Sequence, residues 1–91
     1  MIKAIARFRR EAVVEQTCRL TDVRPGERVL VAEVDGGHRV TSRLSDLGVF
    51  AGTVIELIRG NGHGPVIIRI GPSRLALGRG VAEKIVVDRI A

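Results

Sequence analysis

The stretch RLSDLGVFAGTVIEL, Arg43 to Leu57, holds two apolar patterns of different period, and the change from one to the other decides the fold. Leu44 and Leu47 are three residues apart, the spacing of neighbours on one helix face. Val54, Ile55, Leu57 and Ile58 form a run rich in β-branched residues, the composition of a strand. Gly48 and Gly52 stand between the two patterns. A glycine just past the last periodic residue adopts the left-handed backbone that closes a helix, because it has no Cβ to clash. The stretch therefore predicts a short helix ending at Gly48 and a strand opening after Gly52. A chain that reverses twice in so few residues belongs to a fold of short elements and tight turns.

Working outward, the same signals recur. Arg39 to Leu47 reads as the helix, with Val40, Leu44 and Leu47 as its buried stripe and Arg39 and Arg43 on its wet side. Before it, DGGH (Asp35 to His38) is a turn and RVLVAEV (Arg28 to Val34) a strand, apolar on both faces and so expected in the middle of a sheet. RPGE (Arg24 to Glu27) is a turn, since Pro25 presets its own dihedral and Gly26 accepts a positive one. After the hinge, TVIELIRG (Thr53 to Gly60) is a strand. NGHGP (Asn61 to Pro65) is a hairpin loop, and VIIRI (Val66 to Ile70) is the returning partner. GPS (Gly71 to Ser73) turns again into RLAL (Arg74 to Leu77), a short strand. GRGVAE (Gly78 to Glu83) is a weak helical turn, and KIVVDRI (Lys84 to Ile90) is the closing strand.

These pieces predict a mainly β domain, a small partly open SH3-like barrel of about five antiparallel strands with one or two short helices. The closing strand is a candidate edge, open to pairing with a second copy. Residues 1–16 fit two patterns. Ile2, Ile5, Phe8, Ala12 and Val13 lie at helical spacing, whereas Ile2, Ala4, Ala6 and Phe8 alternate as in a strand; the Ala, Arg and Glu content favours helix. This segment reads as a packed terminal arm or as a weak anchor for an anionic membrane surface or an acidic partner. The division expected is a basic amino-terminal extension, 1–19, and a barrel domain, 20–91.

Composition bounds the function. Ninety-one residues build one core, and hydrophobic residues make up 45% of them, which excludes disorder. No apolar run reaches the ~20 residues that span a bilayer, and the first residues carry scattered charge rather than a secretory core. A single cysteine, Cys18, makes no internal disulfide, so the expected location is the cytoplasm. The net charge of +5 is concentrated: Lys3, Arg7, Arg9 and Arg10 supply +4, and the remaining 11 basic and 10 acidic side chains nearly cancel. With Phe8 and Phe50 as the only aromatic residues, the chain lacks the basic face and stacking platforms of a nucleic-acid-binding barrel. Catalysis has no visible machinery either. His38 and His63 lie in Gly-rich turns, Cys18 has no fixed base, and no metalloprotease, phosphate-loop or nucleophile-elbow motif is present. Asp35 with His38, or Glu56 with His63, offers two metal ligands where a transition-metal site needs three or four. The expectation is no catalytic residue, no cofactor and no built metal site, with at most weak surface binding of a transition metal.

The order of these pieces resembles the FeoA family, ferrous iron transport protein A, from Leu20 to Ile90. The likeness rests on LTDVRPGE, VLVAEVDGG, SRLSDLGVFAG, TVIELIR, PVIIRIG and RLALGRGVAEKIVV in sequence, about 70 of the 91 residues. Each piece alone is weak; their order and spacing are specific. The chain departs from the family pattern at Ala51, where proline often precedes the second glycine, and at Gly78 and Gly80, which replace better helix formers. The first nineteen residues exceed the family core.

The resemblance implies an SH3-like barrel in the cytoplasm that associates with ferrous iron transport protein B, a membrane permease with a cytosolic GTPase domain. It implies a place at the inner face of the membrane through that partner. The barrel also looks like the carboxy-terminal domain of metal-dependent repressors, so a stand-alone metal-responsive domain is the alternative, with a nucleic-acid-binding barrel behind it. The partner-binding surface expected from the residues is the hinge: Phe50 and Val49 between two glycines, with Leu47, Arg43 and Arg39 beside them. The competing reading for Val49 and Phe50 is that they cap the core. Pro25, Gly26, Gly48 and Gly52 are expected as structural turn residues.

Overall fold

The computed structural model describes residues 17–60 and 62–90, so the helix and strand readings of residues 1–16, and the role of the basic arm, lie outside the described residues. Strand β1 is Thr17–Arg19, followed by a 3₁₀ turn at Leu20–Asp22. Then come β2 (Arg28–Val34), helix α1 (Gly37–Asp46), β3 (Val54–Arg59), β4 (Val66–Ile70), β5 (Ser73–Leu77), a single-turn helix α2 (Arg79–Ala82) and β6 (Ile85–Arg89). All strand pairs are antiparallel, in one six-stranded sheet of order β1-β6-β2-β3-β4-β5. Among the described residues the sheet does not close, so β1 and β5 are its ends. Register shifts between Val31 and Glu33 in β2 and between Leu57 and Arg59 in β3 introduce the local bending that lets so small a sheet wrap a core.

The fold is the expected mainly β, SH3-like one, with two differences in detail. A sixth strand exists, because Thr17, Cys18 and Arg19 pair with Asp88, Val87 and Val86, and the Thr17 hydroxyl donates to the Asp88 carboxylate. Three residues show no periodicity of their own; only the partner makes them a strand. For the same reason β6 is not an edge. It lies between β1 and β2, and a second copy cannot add to it. β2, expected in the middle of the sheet, runs between β6 and β3.

One side of each long strand faces a core made of apolar side chains alone. Val29 and Val31 of β2, Ile55 and Leu57 of β3, Val66 and Ile68 of β4, and Ile85 and Val87 of β6 alternate inward, the period-2 pattern of a half-buried strand. Leu20 of the 3₁₀ turn, Val23, Leu44 of α1, Val49 of the hinge, Leu77 of β5 and Ala82 of α2 complete it.

The hinge is built as its glycines dictate. Gly48 has φ +93°, and its N–H donates to the Ser45 carbonyl at 2.9 Å while the Val49 N–H donates to the Leu44 carbonyl at 2.8 Å. Those two bonds satisfy carbonyls that the helix end would orphan, and the apolar contact that accompanies such a cap places Val49 with Leu44. Phe50 to Thr53 then form a β-turn, with the Thr53 N–H donating to the Phe50 carbonyl at 3.0 Å and Gly52 at φ +96°. The turn is anchored to β2 through Gly52 N–H to the Val31 carbonyl and Val31 N–H to the Thr53 carbonyl, both 2.8 Å. Ala51 lacks the rigidity of proline, and Thr53 compensates: its hydroxyl donates to the Gly48 carbonyl at 3.2 Å and accepts the Phe50 N–H at 3.3 Å.

α2 survives Gly78 and Gly80 as one turn, with Ala82 N–H donating to the Gly78 carbonyl and Glu83 N–H to the Arg79 carbonyl. Arg79 fixes it from outside, donating to the carbonyls of Gly64 at 3.2 Å and Gly60 at 2.8 Å. At the other turn, Pro25 and Gly26 (φ +92°) sit at the centre of the expected reversal. Its i to i+3 bond runs from Glu27 N–H to the Arg24 carbonyl at 3.0 Å.

Candidate functional site

Helix α1 presents two rows of side chains with a spacing of four. Val40 and Leu44 form the inner row, half-buried and buried; Arg39, Arg43 and Leu47 form the outer one, all exposed. Leu47, expected in the buried stripe, is 49% exposed instead, because its backbone stays helical and its spacing of four from Arg43 puts it in the outer row. The two rows make one wall of a cleft of about 250 Å³. The opposite wall comes from the end of β5 and from α2: Ala76, Leu77, Gly78 and Val81. The lining is apolar except for the two arginines, whose heads stay solvent-exposed. Among the described residues neither forms an ion pair.

The structure separates the two hinge residues. Val49 is fully buried and belongs to the core, so it offers no contact surface of its own; the Schellman bond to Leu44 pulls it inward. Phe50, next to it, is 52% exposed, and the turn that follows holds its backbone. Leu47, Phe50 and Val54 are three of the four large apolar side chains exposed on the described surface, all within eight residues. Single exposed apolar residues are ordinary; of these three, Leu47 also lines the cleft, and Phe50 and Val54 follow it along the turn and the start of β3.

Arg39, Arg43 and Leu47 thus line one cleft, Phe50 is exposed on the turn that follows, and Pro25 and Gly26 form a turn elsewhere. Sequence reasoning missed the far wall. Ala76, Leu77 and Val81 lie thirty or more residues beyond α1, and no local pattern announces that they face it.

The candidate metal ligands do not gather. The Asp35 carboxylate accepts from Arg19 at 3.3 Å, and Glu56 faces Arg69 at 3.5 Å. His38, Asp46 and Ser42 line a shallow depression on the outer side of α1, between the two arginines. Among the described residues no three His, Cys, Asp or Glu side chains converge. Cys18 is half-buried on β1, and that burial raises its thiol pKa, so the protonated form prevails at neutral pH. No helix of the described chain is long and apolar enough to cross a membrane.

Comparison with known proteins places this arrangement. A Methanocaldococcus jannaschii protein named Fe(2+) transport protein A is 41% identical over 69 residues, covering 76% of this chain and 83% of that protein. The crystal structure of an iron uptake regulatory protein, FeoA, superposes with a TM-score of 0.77 at 30% identity, covering 81% of this chain and 99% of its own. The Stenotrophomonas maltophilia FeoA, solved in complex with zinc and described as a procaryotic SH3 domain protein, superposes with a TM-score of 0.69 at 25% identity. It covers 78% of this chain and 89% of its own. The FeoA domain family model matches residues 18–89, from the second residue of β1 to the last of β6, and the chain belongs to the FeoA family.

Proposed function

We propose that this chain is a cytoplasmic accessory protein of ferrous iron uptake. It binds the cytosolic part of a GTPase-coupled ferrous iron permease and reaches the inner face of the membrane through it. The observation that carries this reading is the surface around α1: an apolar cleft, an exposed Leu47 and Phe50, and two arginines without ion-pair partners among the described residues. Leaving large apolar side chains in water costs hydrophobic free energy that a partner recovers on burial, roughly 1.5–3 kcal/mol for a side chain the size of Phe. Aromatic and arginine side chains beside one another are the composition of a binding hot spot. The family names attach this fold to iron transport, and the exposed surface around α1 supports the accessory reading.

The test is a calorimetric titration of the permease's soluble cytosolic domain with the full chain. Phe50→Ala is expected to weaken binding about tenfold or more while shifting the melting midpoint little, since half of the ring already meets water. Unchanged affinity together with a large drop in melting midpoint would assign Phe50 to the core and remove it from the contact.

A further inference from the structure

The cleft has a second property that the exposed patch alone does not supply. Its far wall is the end of β5, and β5 is the last strand of the sheet, hydrogen-bonded to β4 on one side only. In an antiparallel ladder every second residue directs its N–H and C=O away from the partner strand. Along β5 that leaves a row of main-chain donors and acceptors with no strand opposite among the described residues. The other end of the sheet, β1, is three residues long, which is too short to template a partner; β5 is five. An open edge beside an apolar trough is the geometry that captures an extended segment, with main-chain bonds giving affinity and alternate side chains filling the trough.

Charge decides what kind of segment enters. Arg39 and Arg43 stand on the α1 wall and Arg74 on β5. All three are exposed, and none is ion-paired among the described residues. The one carboxylate beside the arginines, Asp46, lines the outer depression and not the cleft. The first ten residues of this chain are basic, and a second copy would bring the same arginines, so neither complements the rim. The acidic-flanked run Glu11 to Glu15 stands just before β1 in the chain, at the opposite end of the strand order from β5. We infer that the cleft binds an extended, acidic-flanked apolar segment of a different protein, added as a strand to the open edge of β5 with its alternate apolar side chains between α1 and α2. This inference rests on the docking reading above and specifies the chemistry of the partner.

The test uses the full chain and synthetic ten-residue peptides alternating Val or Leu with Glu, labelled for fluorescence anisotropy. The glutamate peptide is expected to bind, and its lysine counterpart to bind at least about tenfold more weakly, with the preference lost in the Arg39→Glu/Arg43→Glu double variant. Methylating the backbone nitrogens of one alternate set of peptide residues removes the donors facing β5 and is expected to weaken binding about tenfold, while methylating the other set leaves it nearly unchanged. An equal effect of the two sets overturns strand addition, and equal binding of the two charge types overturns the acidic assignment. Sedimentation of the protein alone is expected to give a monomer. A dimer that the peptide dissociates would make the occupant a second copy and overturn the inference. Loss of peptide binding with permease binding intact would remove this mode of docking and leave the docking itself standing.

Discussion

Glu27 shows how one side chain ties distant parts of so small a protein. One carboxylate oxygen accepts the Arg24 N–H across the Pro25-Gly26 turn at 2.7 Å, and the other accepts from the Arg89 guanidinium at 3.2 Å, near the end of β6. Arg89 in turn donates to the Asp22 carbonyl. The backbone bond, aided by Arg89, holds the Glu27 pKa below its usual value of 4.5. A carboxylate whose folded pKa is lowered stabilises the fold fully above the unfolded value, and the contribution fades as pH falls through the folded one. Glu27→Gln is therefore expected to lower stability by roughly 0.5–1 kcal/mol at neutral pH, the scale of a partly exposed ion pair that water screens. The difference from the wild type is expected to shrink as pH falls from the ordinary value of 4.5 through the lowered folded one. Urea unfolding at pH 7 and pH 3.5 measures both arms; a gap of equal size at the two pH values would assign the cost to packing instead. At the same scale, Val49 and Phe50 show that adjacent apolar residues in one loop meet opposite fates, set by which backbone N–H closes the helix.

Among the elements, the hinge between α1 and β3 governs the most. An added Cβ at Gly48 meets nothing within 4 Å, so Gly48→Ala is a test of backbone conformation alone. The left-handed conformation costs a non-glycine residue about 1–2 kcal/mol, and a destabilisation of that size is expected in chemical denaturation with an unchanged native circular dichroism spectrum. A neutral substitution would mean that the cap contributes nothing. The hinge was legible because two periods and two glycines meet there. β2 and β4 were legible to the residue, since each is a short apolar run rich in β-branched residues with turn residues at its ends. α1 begins at Gly37, two residues before its expected start, because DGGH carries turn composition whether or not a helix follows. β1 was not legible: its pairing with β6 depends on a strand about seventy residues away, and Thr17, Cys18 and Arg19 carry no signal without it.

At the scale of the whole molecule, the described residues form an open six-stranded sheet with a cleft between α1 and the end of β5 and α2, and the surface proposed for docking is a product of that assembly. The α1 side of the cleft was readable from sequence, because Arg39, Arg43 and Leu47 are close together in the chain. The other side appears only when β5 and α2 are folded against α1. The charge follows the same division: the body is near neutral overall, yet its arginines around the cleft lack partners among the described residues while those at Asp35, Glu56 and Glu27 are paired. The most direct test of docking through this surface is amide hydrogen exchange of the full chain with and without the permease's cytosolic domain. Protection is expected along α1, the Leu47 to Val54 hinge and β5, with exchange in β1 and in the Arg24 to Glu27 turn unchanged. Protection confined to β1 and that turn, with α1 and β5 exchanging as in the free protein, would contradict it.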